Sequence, residues 1–232
     1  AAKDYNRRLK ETGSPLSNYK DVAGYEDVLD ITGTGIMGYV TIPQIQIQLP
    51  IYHGTSAEVL NIAVGHLEGS TLPIGGDSTH AVLSAHRGLP SAKLFSDLDK
   101  LVVGDVFTVT VLNEVLTYEV DRIVIVEPQE VNNLEITSGK DYVTLLTCTP
   151  YGVNTHRLLV RGKRIATAAP ELVVRVSSDA VQIEPMVVAS VIAVPLLIIT
   201  FSLTIIGGSI RQKHKKKKKS YDGKSISDFS EL

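Results

Sequence analysis

The chain's 232 residues predict a mainly β fold, a small closed or nearly closed barrel with a few short helices. Three observations carry this. Short runs of β-branched and aromatic residues alternate with polar ones. Two of these runs flank a turn short enough for a hairpin, at Asn113-Glu114. Stretches with helical spacing are few and lie before or between the runs. The length allows one sizeable domain with appendages.

Residues 1–35 read as a peripheral, lid-like region. Asp4 to Glu11 is polar and helix-compatible, Gly13 and Pro15 break the pattern, and Tyr25 to Ile31 is expected as a short helix ending near Gly33 and Gly35. The barrel is assigned to 36–165. From Gly38 to Tyr52 apolar and polar residues alternate through Ile45, Ile47 and Leu49, while Pro43 and Pro50 place that strand at an edge or break it. Ser56 to Ala63 permits a short helix, Gly65 to Gly76 is loop-like, and Ala81 to Ser84 is a strand. Pro90 to Leu101 spaces Leu94, Leu98 and Leu101 at helical intervals and stops at Gly104-Asp105. Val106 to Leu112 and Val115 to Val126 form the hairpin about Asn113-Glu114. Residues 127–141 connect to a final strand, turn and strand between Tyr142 and Arg164.

Beyond a linker at 166–185, residues 186–207 read as a transmembrane helix. Met186 to Ile206 carries no charge, enough at helical rise to cross roughly 30 Å of hydrocarbon, and Pro195 kinks such a helix without abolishing it. Arg211, Lys213 and Lys215 to Lys219 follow. By the positive-inside rule they place a basic tail, 208–232, in the cytoplasm and the domain outside the cell membrane. The chain opens on Ala1-Ala2-Lys3-Asp4 with no apolar signal core, so a removed signal or anchor is expected. The tail holds eight of the 23 Lys/Arg and only three of the 25 Asp/Glu, leaving an acidic body that argues against nucleic acid as a partner. There is no P-loop, GxGxxG or CxxC, and a single cysteine forms no intrachain disulfide.

That cysteine, Cys148, lies between Thr147 and Thr149 at the end of an apolar run. If the hairpin is symmetric about Gly152 and Val153, Arg157 lies opposite it, and opposed residues share a face. A neighbouring cation favours the thiolate, the nucleophilic form. Arg161 lies four residues on, on the same face, and competes with Arg157. His86, at a strand end in Ser84-Ala85-His86-Arg87-Gly88, is a candidate acid/base, its ordinary pKa being near neutrality. A lone cysteine is equally at home as an inert core residue, and His86 as a surface histidine, so from spacing alone both readings stay open. His53, His66, His80, His156 and His214 are the other histidines. The spacings among His66, His80 and His86 match no common metal-ligand pattern, and no cofactor is expected.

The segments TLLTCTPYGVNTHRLLVRG, SAHRGLPSAKLFSDL, GHLEGSTLPIGG and MGYVTIP together resemble a sortase, and specifically a class C, pilin-polymerising sortase. The resemblance runs from about Tyr5 to about Arg164. It implies an eight-stranded sortase barrel with Cys148 as nucleophile, His86 as acid/base and Arg157 as stabiliser of the oxyanion or substrate. It further implies cleavage of an LPXTG-type sorting signal and transfer of the acyl group to a lysine amine on the next pilin subunit. Attachment of surface proteins to cell-wall peptide is the alternative acceptor chemistry. An anchored binding or scaffold module is the alternative from a different class. Many class C members carry an Asp-Pro-aromatic lid motif, and residues 12–25, TGSPLSNYKDVAGY, lack it.

Overall fold

The computed structural model describes residues 1–89 and 92–167, so the expected linker beyond its first two residues, the membrane span and the tail lie outside the described residues, as does His214. Eight strands close into one barrel: β1 (Ile36–Ile42), β2 (Ile47–His53), β3 (Val64–His66), β4 (Thr79–Ser84), β5 (Val106–Val111), β6 (Glu114–Val126), β7 (Asp141–Thr149) and β8 (His156–Ile165). Their order around the barrel is β1-β2-β3-β4-β7-β8-β6-β5. Closure leaves no unpaired sheet edge. All neighbours are antiparallel except β2 with β3 and β4 with β7.

The single strand expected over Gly38–Tyr52 is two. Pro43 has no N–H to continue the ladder and opens a 3-10 turn, Gln46 takes a left-handed φ of 53°, and β2 folds back on β1. Pro50 is tolerated inside β2 because β3 joins only from Ile51 onward. The expected β5–β6 hairpin forms, but its turn is Leu112 and Asn113, one residue earlier than Asn113-Glu114, because Val111 pairs with Glu114.

Alternation along the strands fills the barrel with Ile42, Ile51, Leu83, Phe107, Val109, Tyr118, Leu145 and Val160, each fully buried. The rings of Phe107 and Tyr118 stack at 5.6 Å over Gly162. A Cβ on Gly162 would come within 2.6 Å of the Phe107 ring, so only glycine allows this layer.

Two helices were expected where the chain makes tighter turns. Over Tyr25–Ile31 no helix forms; Leu29 has φ 74°, and Val28 and Leu29 are buried against the barrel. Within Pro90–Leu101, Leu94 has φ 37°, and among the described residues only Leu98–Lys100 forms a helical turn, of 3-10 type. Leu94, Leu98 and Leu101 are nonetheless all buried, so the helical spacing was a burial pattern met by successive turns.

The N-terminal helix α1 (Ala2–Glu11) is bolted to the barrel by Asn6. Its amide donates to Leu72 O and accepts from Leu72 N, at 3.2 and 2.7 Å. The following segment is tied by Tyr25, whose hydroxyl lies 2.8 Å from His66 Nδ1 and accepts from Gly54 N. His66 Nε2 lies 2.9 Å from Thr71 O, which makes Nε2 the protonated nitrogen and Nδ1 the acceptor from Tyr25. Burial holds this imidazole neutral, its pKa pushed down to about 4.

His66 in the unfolded chain binds a proton near pH 6.5 and in the folded chain only near 4. Its contribution is therefore complete above pH 6.5 and lost as pH falls towards 4. Urea unfolding at pH 5 should show a stability lower by about 2 kcal/mol than at pH 7.5, and His66→Gln should flatten that dependence. An unchanged slope in His66→Gln would mean other groups carry it.

Candidate active site

The register around β7 assembles the site. In the parallel ladder Ser84 pairs with Leu146, and the pairing continues past β4: Ala85 N donates to Leu146 O at 3.1 Å, and Thr147 Oγ1 donates to Ala85 O at 2.8 Å. The same offset, carried two residues past the last β4 pair, matches His86 with Cys148. On the other side Cys148 pairs with Arg157, as the hairpin symmetry requires, and Arg157 pairs with Val126 of β6. Cys148, Arg157 and Val126 thus form one transverse row over β7, β8 and β6, and His86 lies two residues past the end of β4, on the neighbouring segment.

This row faces out of the barrel. Its in-between neighbours Leu83, Leu145 and Val160 belong to the main core, whereas Val82, Leu159 and Val126 form a second apolar cluster with Leu134. Leu146, Val124, Leu67 and Leu16 pack against that cluster. The next row in from Cys148 is Ser84, Leu146, Leu159 and Val124. A half-buried thiol therefore stands at the head of an apolar strip along the outside of the sheet.

Two segments border the strip. The 3-10 turn Asn132–Leu134 in the β6–β7 connection lays Leu134 on it. From the N-terminal region α2 (Pro15–Asn18) lays Leu16 on it. Between these segments a cavity of about 430 Å³ opens, lined by Pro15, Leu16, Ser70, His80, Leu134 and Glu135 among others. Residues 12–25 lack an aromatic lid motif, yet Leu16 still reaches this face. The sequence signal was a proline at a helix start followed by one leucine in a polar stretch.

The two arginines separate clearly. Arg161 makes a forked pair with Asp121, Nε to Oδ1 at 3.0 Å and Nη2 to Oδ2 at 2.8 Å, and stacks on Tyr142 at 4.2 Å. Hydrogen bonding to Asp121 raises its pKa further. Arg157 has no carboxylate partner among the described residues. Its Nη1 donates to the Asn154 and His156 carbonyls at 3.2 and 3.1 Å, leaving most of its fork free beside the thiol. The turn that sets it, Pro150 to Thr155, is closed by Val153 N and Asn154 N on Pro150 O; the Thr149–Pro150 peptide is cis.

The other described histidines are occupied elsewhere. His53 Nε2 meets Val28 O at 2.8 Å. His80 shares the outer face with His86 but lies three rows away, held between Glu135 O at 2.9 Å and Thr144 Oγ1 at 2.7 Å, with burial lowering its pKa. His156 pairs with Thr149 and is exposed. His86 is half-buried, and its carbonyl accepts from Phe95 N at 3.1 Å. Arg87, read from sequence only as the neighbour of His86, is nearly buried and bridges three segments. No local pattern distinguishes it.

Residues 40–165 match the family model described as "Sortase domain". Sortase A of Streptococcus agalactiae is 32% identical over 131 residues, 55% of this chain and 52% of that protein. Sortase D of Bacillus subtilis is 30% identical over 131 residues, 55% of this chain and 63% of that protein. The alignments thus span between half and two thirds of these curated relatives. Among solved structures, sortase C1 of Streptococcus suis is 55% identical with a TM-score of 0.60, over 64% of this chain and 82% of that one. Sortase C1 of Streptococcus agalactiae is 51% identical with a TM-score of 0.61, over 72% and 99%. Sortase C of Clostridium perfringens, solved with the C-terminal cell wall sorting motif, is 47% identical with a TM-score of 0.60, over 72% and 90%.

The unequal roles of the arginines are measurable as stability. Arg161→Ala strands Asp121 and uncovers Tyr142, and should cost about 2 kcal/mol in urea unfolding. Arg157→Ala removes only bonds to its own turn and should stay within about 0.5 kcal/mol of the parent. Equal losses would contradict this division.

Proposed function

The chain belongs to the sortase family of cysteine transpeptidases, and from that premise we propose that it is a class C, pilin-polymerising member acting through Cys148, His86 and Arg157. The observation that supports these roles is the register, in which the Cys148 thiol has on one side the strand that leads to His86 and on the other a guanidinium with no carboxylate partner among the described residues.

An extended sorting signal of LPXTG type has apolar residues suited to the strip along Leu146 and Leu159, with its scissile Thr–Gly carbonyl at Cys148 Sγ. The thiolate attacks that carbonyl. Arg157 donates to the oxygen as negative charge develops on it, a task for a permanently charged fork. Collapse of the tetrahedral intermediate expels the glycine amine, which takes a proton from His86, and leaves a thioacyl enzyme. A lysine amine of the next pilin subunit then gives a proton to His86, attacks the thioester and releases Cys148 with a new isopeptide bond. One titrating group thus serves as acid in the first half and base in the second.

The uncharged 186–207 segment and the basic residues after it support a membrane anchor with the barrel outside and the C-terminus in the cytoplasm.

Incubating the protein with a pilin subunit that carries both a sorting signal and its acceptor lysine should give a ladder of covalent polymers on a denaturing gel. Cys148→Ala should abolish the ladder, and Arg157→Lys should cut its rate by about 100-fold or more because a point charge lacks the fork. Products formed only with a wall-peptide amine would overturn the pilin reading. A full ladder from Cys148→Ala would overturn the mechanism.

A further inference from the structure

Arg87 is a cation with little solvent and an unusual set of neighbours. Its side chain is 9% exposed, it pairs through Nη2 with Asp99, and its Nη1 approaches Thr149 Oγ1 at 3.5 Å. Its guanidinium lies 5.8 Å from the centre of the Tyr151 ring, and its Nε is buried with no partner among the described residues. Burying a charge this way costs free energy that a neutral residue would not incur, so the arrangement is poorly explained by stability alone.

Its position suggests what is gained. Arg87 directly follows His86 and Thr149 directly follows Cys148, so the Arg87–Thr149 contact repeats, one residue on, the level of the histidine and the cysteine. β4 ends at Ser84, and beyond Ala85 no further strand pairing holds the His86 segment to β7. The clamp occupies that gap. Asp99, in the Leu98–Lys100 turn, anchors one side of the guanidinium, and Tyr151, in the β7–β8 turn, covers another. The backbone follows the same path. Phe95 N donates to His86 O, Gly88 N donates to Ser96 Oγ at 3.0 Å, and Gly88 turns with φ 76° where a Cβ would sit 2.5 Å from the Tyr151 ring.

We propose that Arg87 is a positioning residue. Through Asp99, Thr149 and Tyr151 it fixes the unpaired end of β4 so that the His86 imidazole stays level with the Cys148 thiol. It touches no substrate itself. Because proton transfer is needed in both halves of the reaction, loosening the clamp should slow turnover without weakening capture of the sorting signal, whose apolar residues are held by the strip at Leu146 and Leu159. The inference rests on the sortase reading of this site.

The test is steady-state cleavage and transfer of a sorting-signal peptide by the full chain carrying Arg87→Gln, Arg87→Lys, Asp99→Asn or the double change Arg87→Gln with Asp99→Asn. Thermal melting is followed in parallel. Asp99 is about half exposed, so Asp99→Asn alters the clamp from the surface without changing a core side chain. Arg87→Gln and Asp99→Asn should each lower kcat by roughly 10- to 100-fold with KM within about twofold, and the double change should be no worse than the worse single one. Arg87→Lys, which keeps charge but not the fork, should not restore kcat. A parental kcat in Asp99→Asn, a full rescue by lysine, or losses that multiply in the double variant would overturn the proposal. A parent protein that leaves the peptide uncut fails the sortase reading instead, and the two failures are thereby distinguished.

Discussion

The site depends on strand register. β7 is the central strand, paired in parallel with β4 and antiparallel with β8, and Cys148 lies on it between one neighbour that leads to His86 and another that carries Arg157. Because side chains alternate faces with a period of two, a slip of one residue in either ladder would turn a member of the row into the barrel. The core opposes such a slip. Leu83, Leu145 and Val160 would leave the interior at the same moment, and Phe107 and Tyr118 would no longer meet the bare backbone of Gly162. The packing that stabilises the barrel therefore also aligns the chemistry.

The outer face of the same three strands divides into working parts. Near the strand ends it presents the thiol and a guanidinium without an acidic partner among the described residues, with His86 just past the end of β4. Further in it is apolar, and deeper still it is closed by polar groups already satisfied, the Arg161–Asp121 pair and His80 between Glu135 and Thr144. Of the two outer-face arginines, Arg157 keeps most of its donors free among the described residues, whereas the fork of Arg161 is taken up by Asp121. Leu16 and Leu134 pack against the apolar part from segments outside the barrel strands and distant in sequence.

Legibility from sequence followed the range of the interaction. The pairing of Cys148 with Arg157 was readable because a hairpin's register follows from its turn, and both residues lie within that turn's reach. The neighbourhood of β4 and β7, which leads the His86 segment towards Cys148, was not, since parallel pairing of strands some sixty residues apart leaves no local trace; His86 as a partner of Cys148 rests on the family resemblance. Arg157 and Arg161 were indistinguishable by pattern because their difference is made by Asp121, which joins the site only through the β6–β8 ladder. The leucines of 94–101 showed genuine burial, and the error lay in assuming that helical spacing means an α-helix when a left-handed Leu94 turns the chain instead. The span at 186–207 stands on composition alone.

The most direct measurement of the central claim is the intact mass of the protein after brief exposure to a sorting-signal peptide with no amine acceptor present. A cysteine nucleophile at the head of this row requires a population heavier by the acyl portion of the peptide, mapped to Cys148, labile to hydroxylamine, and absent when His86 is replaced by alanine. Peptide cleavage without any adduct at Cys148, or an adduct formed at an undiminished rate without His86, would contradict it.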